Sequence, residues 1–251
     1  MRTFDTYREA ISEIRRDISK APVITSGRVQ QHRIAGRVHE ATNYGYTILR
    51  GGMPVSRKEF LAETQRAFPF WQKHGDAIAQ WLQAEERARY SLWLLETANE
   101  ESLPDLLHPE LSTLREGNTF AYTYQDRLIG ARDALLAALV SDLHTRRAYW
   151  PIFIPEDAVR ARRLSRIPCS LGYHIMVRPV PGLGELLELT YLQRSCDFDR
   201  FWASDVWLAY ALQQRLIQQW NYMYGETQPL RAGSLSHFVL SLHAFIDDEV
   251  Y

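Results

Sequence analysis

The residue best suited to chemistry is Cys169, one of only two cysteines in the chain. It follows Pro168 and comes just before a strand-like run. A cysteine acts as a nucleophile only as a thiolate, which requires a nearby cation. Arg194 ends a second strand-like run that can lie beside the first, so its guanidinium group can meet the sulfur. The ordinary alternative for a lone cysteine is a small buried hydrophobic residue.

Several arginines and carboxylates can complete such a site. Arginine binds phosphate through paired hydrogen bonds, and carboxylates can orient a heterocycle or relay protons. The candidate phosphate ligands are Arg33, Arg146, Arg147 and Arg194, and the candidate carboxylates are Glu63, Asp197 and Asp205. Together with Cys169, these residues predict a thiolate enzyme that acts on a phosphorylated, planar substrate.

The elements that must position these residues are a pair of strands and several helices. Period-two alternation in "GYHIMVR" and "ELLELTYLQ", around the turn "PVPGLG", predicts two neighbouring antiparallel strands. Apolar residues at helical spacing predict helices over 6–19, 57–82 with an interruption near Pro69, 127–143 and 205–220. Because helices and strands are mixed without a repeated βαβ order, an α+β fold is favoured over a doubly wound sheet.

Composition restricts the class of protein. The 251 residues have a formal net charge of −1, which gives no general attraction to nucleic acids or membranes. No apolar run approaches the ~20 residues of a membrane span, and the charged N-terminus lacks the apolar core of a signal peptide. We therefore expect a cytoplasmic protein with reduced cysteines, folded as a single domain over residues 1–251.

The order of the motifs resembles that of the thymidylate synthase family. That family has an Arg-Arg pair, a Pro-Cys nucleophile, a Gln-Arg-Ser-x-Asp strand, a helix entered by an Asn that reads the pyrimidine, and a His-x-Tyr that holds the sugar. The corresponding segments are Arg146-Arg147, "RIPCSLGYHIMV", "YLQRSCD", "FWASDVWLAYAL" and "AGSLSHFVLSLH". The match is good over residues 145–243. Upstream it is looser: "FAYTYQDR" places Tyr122, "KEFLAET" places Glu63, and "GRVQQHRIAGR" places Arg33, with Arg28 as the alternative.

The resemblance implies a thymidylate synthase-like fold, a mixed or antiparallel sheet packed with helices, with one sheet face forming a dimer interface. It also implies that Cys169 adds to C6 of a pyrimidine nucleoside monophosphate, and that C5 accepts a one-carbon unit from 5,10-methylenetetrahydrofolate, the co-substrate. Glu63 would assist proton movements through water, and Asp197 would face the folate pterin. The residues that would contact the nucleotide are Arg33, Tyr122, Gln193, Arg194, Ser195, Asp205 and His237. Arg146 and Arg147 would reach the phosphate from the partner subunit of an obligate homodimer.

One departure from the family concerns the base. Asp205 stands where thymidylate synthases have the Asn that reads uracil. Cytosine offers an amino donor where uracil offers an oxygen acceptor, and a carboxylate accepts well from an amino group. An unmatched buried polar edge costs ~1–3 kcal/mol, so Asp205 indicates cytosine, as in the cytidylate hydroxymethylases that resemble this arrangement. The alternative is that Asp205 is a helix N-cap.

Two further departures concern the sugar and the end of the chain. Val239 replaces the tyrosine of His-x-Tyr, which removes one sugar contact and admits CMP alongside dCMP. The chain ends soon after a helix expected to begin near His243, without the strands and tail that close over folate in the family. An open site would admit water, and water capture of the one-carbon unit gives a hydroxymethyl rather than a methyl group.

Other interpretations stay open for individual residues and for the whole chain. His237 can be a core histidine, and Arg146 and Arg147 can cap a helix C-terminus. We expect Cys196 and the tryptophans Trp202, Trp207 and Trp220 to serve packing or a dimer interface, and no metal-binding spacing is present. The chain as a whole can also be a uridylate methyltransferase or hydroxymethylase, or a non-catalytic relative that binds nucleotides.

Overall fold

The computed structural model describes residues 1–26, 36–91, 124–161 and 168–246. The helices in these ranges are α1 (Tyr7–Ile18), α2 (Arg57–Ala67), α3 (Pro69–Ser91), α4 (Tyr124–Ser141), α5 (Pro155–Ala161) and α6 (Trp202–Tyr224). The strands are β1 (Arg2–Phe4), β2 (Val23–Ser26), β3 (Gly36–Ile48), β4 (Tyr149–Pro151), β5 (Ser170–Val180), β6 (Gly184–Asp197) and β7 (Leu230–Phe245). The helices predicted from periodicity are confirmed, including the break at Pro69, which occupies the first position of α3.

The described strands form one mixed sheet in the order β1-β3-β7-β6-β5-β4, with β2 paired to β3. The predicted hairpin is confirmed: β5 and β6 are antiparallel, with Ile175 opposite Leu189. Gly182 and Gly184 in its turn have φ of 76° and 81°, which glycine adopts without steric cost. Strand β7 runs parallel to β6, and α6 makes the crossover between them. The α+β class is therefore confirmed.

The end of the described chain corrects one prediction. No helix begins near His243, because that residue lies inside β7, opposite Glu40 of β3 and Asp197 of β6. Leu235, His237 and Val239 are buried on one face of this strand, and the next buried residue is Leu242, so the alternation is interrupted just before His243. Sheet pairing on both sides of β7 satisfies its backbone groups, so the strand extends to Phe245.

The helices pack on one face of the sheet around an aromatic core. The ring of Trp202 stacks on Tyr7 at a centroid distance of 5.5 Å, and Trp207 stacks on Phe60 at 4.6 Å. Burial of each such side chain contributes roughly 1.5–3 kcal/mol. Trp202, Trp207 and Trp220 are all buried, so they belong to the core of this chain.

The two faces of the sheet differ in exposure. Residues alternate between buried and half-exposed along β5, β6 and β7, because only one face is covered by helices. The other face, called the outer face below, carries the apolar side chains of Met176, Leu192, Phe238 and Leu240, the last of which is 41% exposed. Within the described ranges, no helix combines the length and apolarity needed to cross a bilayer.

Candidate active site

Cys169 and Arg194 meet where β5 and β6 lie side by side. Cys169 is half-exposed and immediately precedes β5, and the backbone N–H of Arg194 donates to its carbonyl oxygen at 2.6 Å. The Arg194 Nη2 atom lies 3.7 Å from the Cys169 sulfur. The predicted approach of guanidinium and sulfur is confirmed, whereas the nucleophilic role of Cys169 stays a prediction.

The backbone beside Cys169 is held in an unusual conformation. Gly172 has φ of 151°, and a Cβ atom there would lie 2.6 Å from both the Trp150 carbonyl oxygen and the Tyr149 hydroxyl. Pairing of β5 with β6 shifts register between Ser170 and Gly172. The Ser170 hydroxyl bonds to that of Tyr191 on β6. This irregular start of β5 is what places Cys169 against Arg194.

Asp205 lies next to this pair through Gln193, the neighbour of Arg194 on β6. The Gln193 side chain is buried, and its Nε2 atom donates to Asp205 Oδ2 at 2.7 Å. The Cys196 sulfur lies 3.7 Å from the same oxygen. The N-cap of α6 is Phe201 and Asp205 lies in the first helical turn, so the N-cap interpretation of Asp205 is wrong. A carboxylate in the first turn is still favoured by the helix dipole.

His237 on β7 is enclosed behind Gln193. Its Nε2 atom lies 2.9 Å from Gln193 Oε1, and its Nδ1 atom lies 2.9 Å from the Tyr46 hydroxyl on β3. Trp202 Nε1 donates to the same hydroxyl at 2.8 Å. Burial lowers the pKa of His237 to about 3, so the ring is neutral at physiological pH. A contact with a sugar hydroxyl would require the ring to give up one of these protein partners.

Tyr46 and Trp202 are the site residues that sequence reasoning missed. The sequence predicts Trp202 as a core or interface residue and the segment of Tyr46 as a strand followed by a turn, without a role for the Tyr46 hydroxyl. The alternation of tyrosines in "NYGYT" was the available signal that Tyr46 shares a face with other core residues. Val239, which replaces the tyrosine expected to contact the sugar, is fully buried and pairs with Gln193 of β6.

Asp197 ends β6 and is almost fully buried. Its Oδ1 atom accepts from the backbone N–H of Asp199 at 3.2 Å, and its Oδ2 atom lies 3.8 Å from Arg200 Nε. Burial raises the pKa of Asp197 to about 7, although Arg200 acts in the opposite direction. Burial also raises the pKa of the neighbouring Cys196 thiol well above its ordinary value, with the Asp205 and Asp197 charges adding to the effect. Cys196 therefore stays protonated.

Glu63 lies on α2, which Ser56 caps through a hydrogen bond to the Glu59 N–H. The Glu63 carboxylate pairs with Arg8 of α1 at 2.8 Å. Ser195 is half-exposed on β6 beside Arg194. The roles of Glu63 in proton movement and of Ser195 in phosphate binding stay predictions.

Arg146 and Arg147 are exposed in the loop between α4 and β4. Helix α4 ends at Ser141, so these arginines do not cap its C-terminus and that interpretation is wrong. The loop is tied to two outer-face side chains of β5. His174 Nε2 lies 3.1 Å from the Arg146 carbonyl oxygen, and Arg178 donates to the His144 carbonyl oxygen at 2.9 Å. The two arginines therefore lie at the outer face.

Arg33, its alternative Arg28, and Tyr122, which were predicted to contact the nucleotide, lie outside the described residues. Among the residues that the structure does describe, no group of three or more metal-ligating side chains occurs. A cavity of about 270 Å³ opens between the end of β3, the middle of α6 and the start of β7. None of the predicted site residues lines that cavity, so it is separate from the Cys169 region.

Comparison with known proteins confirms the fold. The chain is similar to the solved structure of thermostable thymidylate synthase A from Bacillus subtilis, with a TM-score of 0.61 and 13% sequence identity. The similarity covers 96% of this chain and 80% of that one. No protein-family model and no curated protein sequence matches the chain. At this identity the similarity establishes a thymidylate synthase-like fold and leaves the activity to be argued from the site.

Proposed function

We propose that this protein is a cytidylate 5-hydroxymethylase. In this proposal a one-carbon unit passes from 5,10-methylenetetrahydrofolate to C5 of CMP or dCMP, and water captures it as a hydroxymethyl group. The thymidylate synthase-like fold supports folate-dependent one-carbon transfer to a pyrimidine nucleotide as the general reaction. The choice of cytosine rests on Asp205, and the hydroxymethyl product follows from the resemblance to the cytidylate hydroxymethylases.

The observation that carries the proposal is a pair of side-chain contacts made by two adjacent residues of β6, Arg194 and Gln193. Arg194 touches the Cys169 sulfur, and Gln193 donates to the Asp205 carboxylate. The Cys169 and Asp205 side chains are thus both contacted by the end of β6, and both lie near enough to Cys196 for their charges to raise the pKa of its thiol. A ring attacked at C6 and read at its 4-amino group requires such a nucleophile and acceptor in one region. A carboxylate accepts from an amino group, whereas it repels the oxygen that uracil presents at the same position.

In this proposal the reaction proceeds in the following steps. The Cys169 thiolate, stabilised by Arg194, forms a bond to C6, which makes C5 a carbon nucleophile. C5 bonds the one-carbon unit and loses its proton, and departure of tetrahydrofolate leaves an exocyclic methylene group on the pyrimidine. The oxygen of water then adds to that methylene group with loss of one proton, and this proton and the one lost from C5 balance the two N–H bonds that tetrahydrofolate gains. The carbon–sulfur bond breaks, which returns the thiolate and releases the 5-hydroxymethyl nucleotide.

Folate binding is assigned in this proposal to the region of Asp197. That carboxyl group accepts from the backbone N–H groups of Asp199 and Arg200 and lies near the Arg200 side chain, and its two oxygens together offer about four lone-pair sites, so a pterin N–H can still be accepted. The donor chemistry therefore fits the co-substrate. When bound, methylenetetrahydrofolate supplies a carbon at the oxidation level of formaldehyde, and Asp197 orients the ring that carries it.

A homodimer completes the site in this proposal. The outer face carries half-exposed Met176, Leu192 and Phe238, which a second copy can cover. Arg146 and Arg147 lie in a loop bonded to that same face, so they are placed to reach a partner rather than the Cys169 of their own chain. Mixing a Cys169→Ser chain with an Arg146→Ala/Arg147→Ala chain should then restore part of the activity that each homodimer lacks.

Release of tritium from C5 tests the proposal. The protein is incubated with methylenetetrahydrofolate and 5-tritiated CMP, dCMP or dUMP, and the products are analysed by mass. We expect tritium release and a 5-hydroxymethyl product from a cytidylate. Cys169→Ser should abolish release while retaining nucleotide binding, and Asp205→Asn should shift turnover from cytidylate toward uridylate by at least tenfold, since a buried mismatch costs ~1–3 kcal/mol.

Other outcomes discriminate the alternatives. Release from dUMP alone, unchanged by Asp205→Asn, would identify a uridylate enzyme. A methyl product from a cytidylate would retain the assignment of the base and refute water capture. Nucleotide binding with no release from any substrate would support a non-catalytic binding protein.

A further inference from the structure

A continuous series of hydrogen bonds connects the core to Asp205, the residue proposed to recognise the base. Its four bonds join Trp202 Nε1 to the Tyr46 hydroxyl at 2.8 Å, that hydroxyl to His237 Nδ1 at 2.9 Å, His237 Nε2 to Gln193 Oε1 at 2.9 Å, and Gln193 Nε2 to Asp205 Oδ2 at 2.7 Å. Tyr46, Trp202, Gln193 and His237 are each at most 2% exposed. We call these five residues the relay.

The chemistry of the two ends fixes the direction of every bond. The indole N–H of Trp202 can only donate, so the Tyr46 oxygen accepts from it, and the Tyr46 proton stays available for His237. At the other end an ionised Asp205 carboxylate can only accept, so Gln193 turns its NH₂ group toward Asp205 and its carbonyl oxygen toward His237 Nε2. His237 is neutral and carries one ring proton. That proton is on Nε2, which donates to the Gln193 carbonyl oxygen, so Nδ1 accepts from the Tyr46 hydroxyl.

We infer that Tyr46 and Trp202 are specificity-determining positioning residues, which act through His237 and Gln193 to keep Asp205 a hydrogen-bond acceptor. The inference rests on the proposed function, in which Asp205 reads the 4-amino group of cytosine. An amide donor held against one carboxylate oxygen favours the ionised form of that carboxylate. The Cys196 thiol, 3.7 Å from the same oxygen, is a second donor that acts in the same direction.

Removal of the Tyr46 hydroxyl should allow the hydrogen bonds from His237 to Asp205 to reverse their donor and acceptor roles. In Tyr46→Phe, His237 Nδ1 loses its donor, so the ring proton can move to Nδ1 and Nε2 becomes an acceptor. The Gln193 amide then turns its NH₂ group toward His237 and its oxygen toward Asp205. A carboxyl group facing that oxygen must hold a proton, and a protonated carboxyl both donates and accepts. Because that proton is directed to the Gln193 oxygen, the group presents to the base only a neutral carbonyl oxygen, which is a weaker acceptor for the 4-amino group of cytosine than a carboxylate.

The test combines a spectroscopic measurement with ligand affinity. Nitrogen-15 NMR of histidine-labelled protein reports which ring nitrogen of His237 carries the proton, with His237→Gln identifying its signals. Isothermal titration then gives the ratio of cytidylate to uridylate affinity for wild type, Tyr46→Phe, Trp202→Phe and the control Tyr44→Phe. Tyr44 lies two residues away on the same strand and donates instead to Asp17 at 2.7 Å, so its variant loses a hydroxyl bond outside the relay.

We expect the Nε2–H form of His237 in wild type, and a fall of about tenfold in the affinity ratio in Tyr46→Phe, with a smaller fall in Trp202→Phe and none in Tyr44→Phe. An Nδ1–H or doubly protonated His237 in wild type would overturn the inference even if Tyr46→Phe does not fold. So would an unchanged affinity ratio in a folded Tyr46→Phe variant. A wild-type preference for uridylate would refute the proposed function itself, and with it the selectivity role of the relay.

Discussion

Replacement of Arg194 by Gln should slow the reaction of Cys169 with alkylating reagents. Two unit charges about 4 Å apart attract by about 1 kcal/mol in water and by about 4 kcal/mol at an effective dielectric constant of 20. Arg194 Nη2 and the Cys169 sulfur are 3.7 Å apart and both residues are half-exposed, so the lower part of that range applies. Loss of about 1–2 kcal/mol reduces the thiolate population roughly 5- to 30-fold.

The assay is the rate of modification of Cys169 by iodoacetamide at pH 7 and low ionic strength, followed by mass spectrometry of the Cys169 peptide. Arg194→Lys retains the charge and should restore most of the rate. Arg178→Gln is the matched control, because it removes an arginine of β5 whose hydrogen bonds go to the carbonyl oxygens of His144 and Val177. Salt at 1 M should reduce the difference between wild type and Arg194→Gln. Equal rates for these two proteins at low salt would refute electrostatic activation of Cys169 by Arg194.

Two further predictions concern stability. The buried Asp197 has its pKa raised from 3.8 to about 7, so the folded protein holds a proton that the unfolded chain releases. The free energy of unfolding should therefore fall as the pH rises through this interval, by about 2–3 kcal/mol between pH 5 and pH 8, and Asp197→Asn should remove that fall in urea titrations. An equal pH dependence in both proteins would contradict it. Gly172→Ala should lower the free energy of unfolding by at least 2 kcal/mol, because its Cβ would lie 2.6 Å from the Trp150 carbonyl oxygen, whereas Gly182→Ala, where nothing lies within 4 Å, should cost only about 1 kcal/mol. Equal melting temperatures for these two variants would refute the steric explanation.

Local sequence patterns were sufficient to predict most elements and the central pair of strands. Helical spacing predicted α1, α4 and α6, and alternation around "PVPGLG" predicted the hairpin of β5 and β6. Pairing of those strands brings Cys169 and Arg194 into the same region, but their contact also requires the register shift between Ser170 and Gly172, which alternation does not predict. The prediction failed at His243, where a short apolar pattern was assigned to a helix although β7 continues.

Residue types and their spacing establish which side chains are available for chemistry and in which order they occur along the chain. Which of these side chains touch depends on how the distant strands and helices pack. Tyr46 is 156 residues from Trp202 and 191 residues from His237, and each pair meets through the pairing of β3 with β7 and the packing of α6 on the sheet. No local period carries that information, because the register between distant strands is set by the burial of the whole face. The direction of the relay, and so the hydrogen-bonding state inferred for Asp205, arises from these long-range contacts.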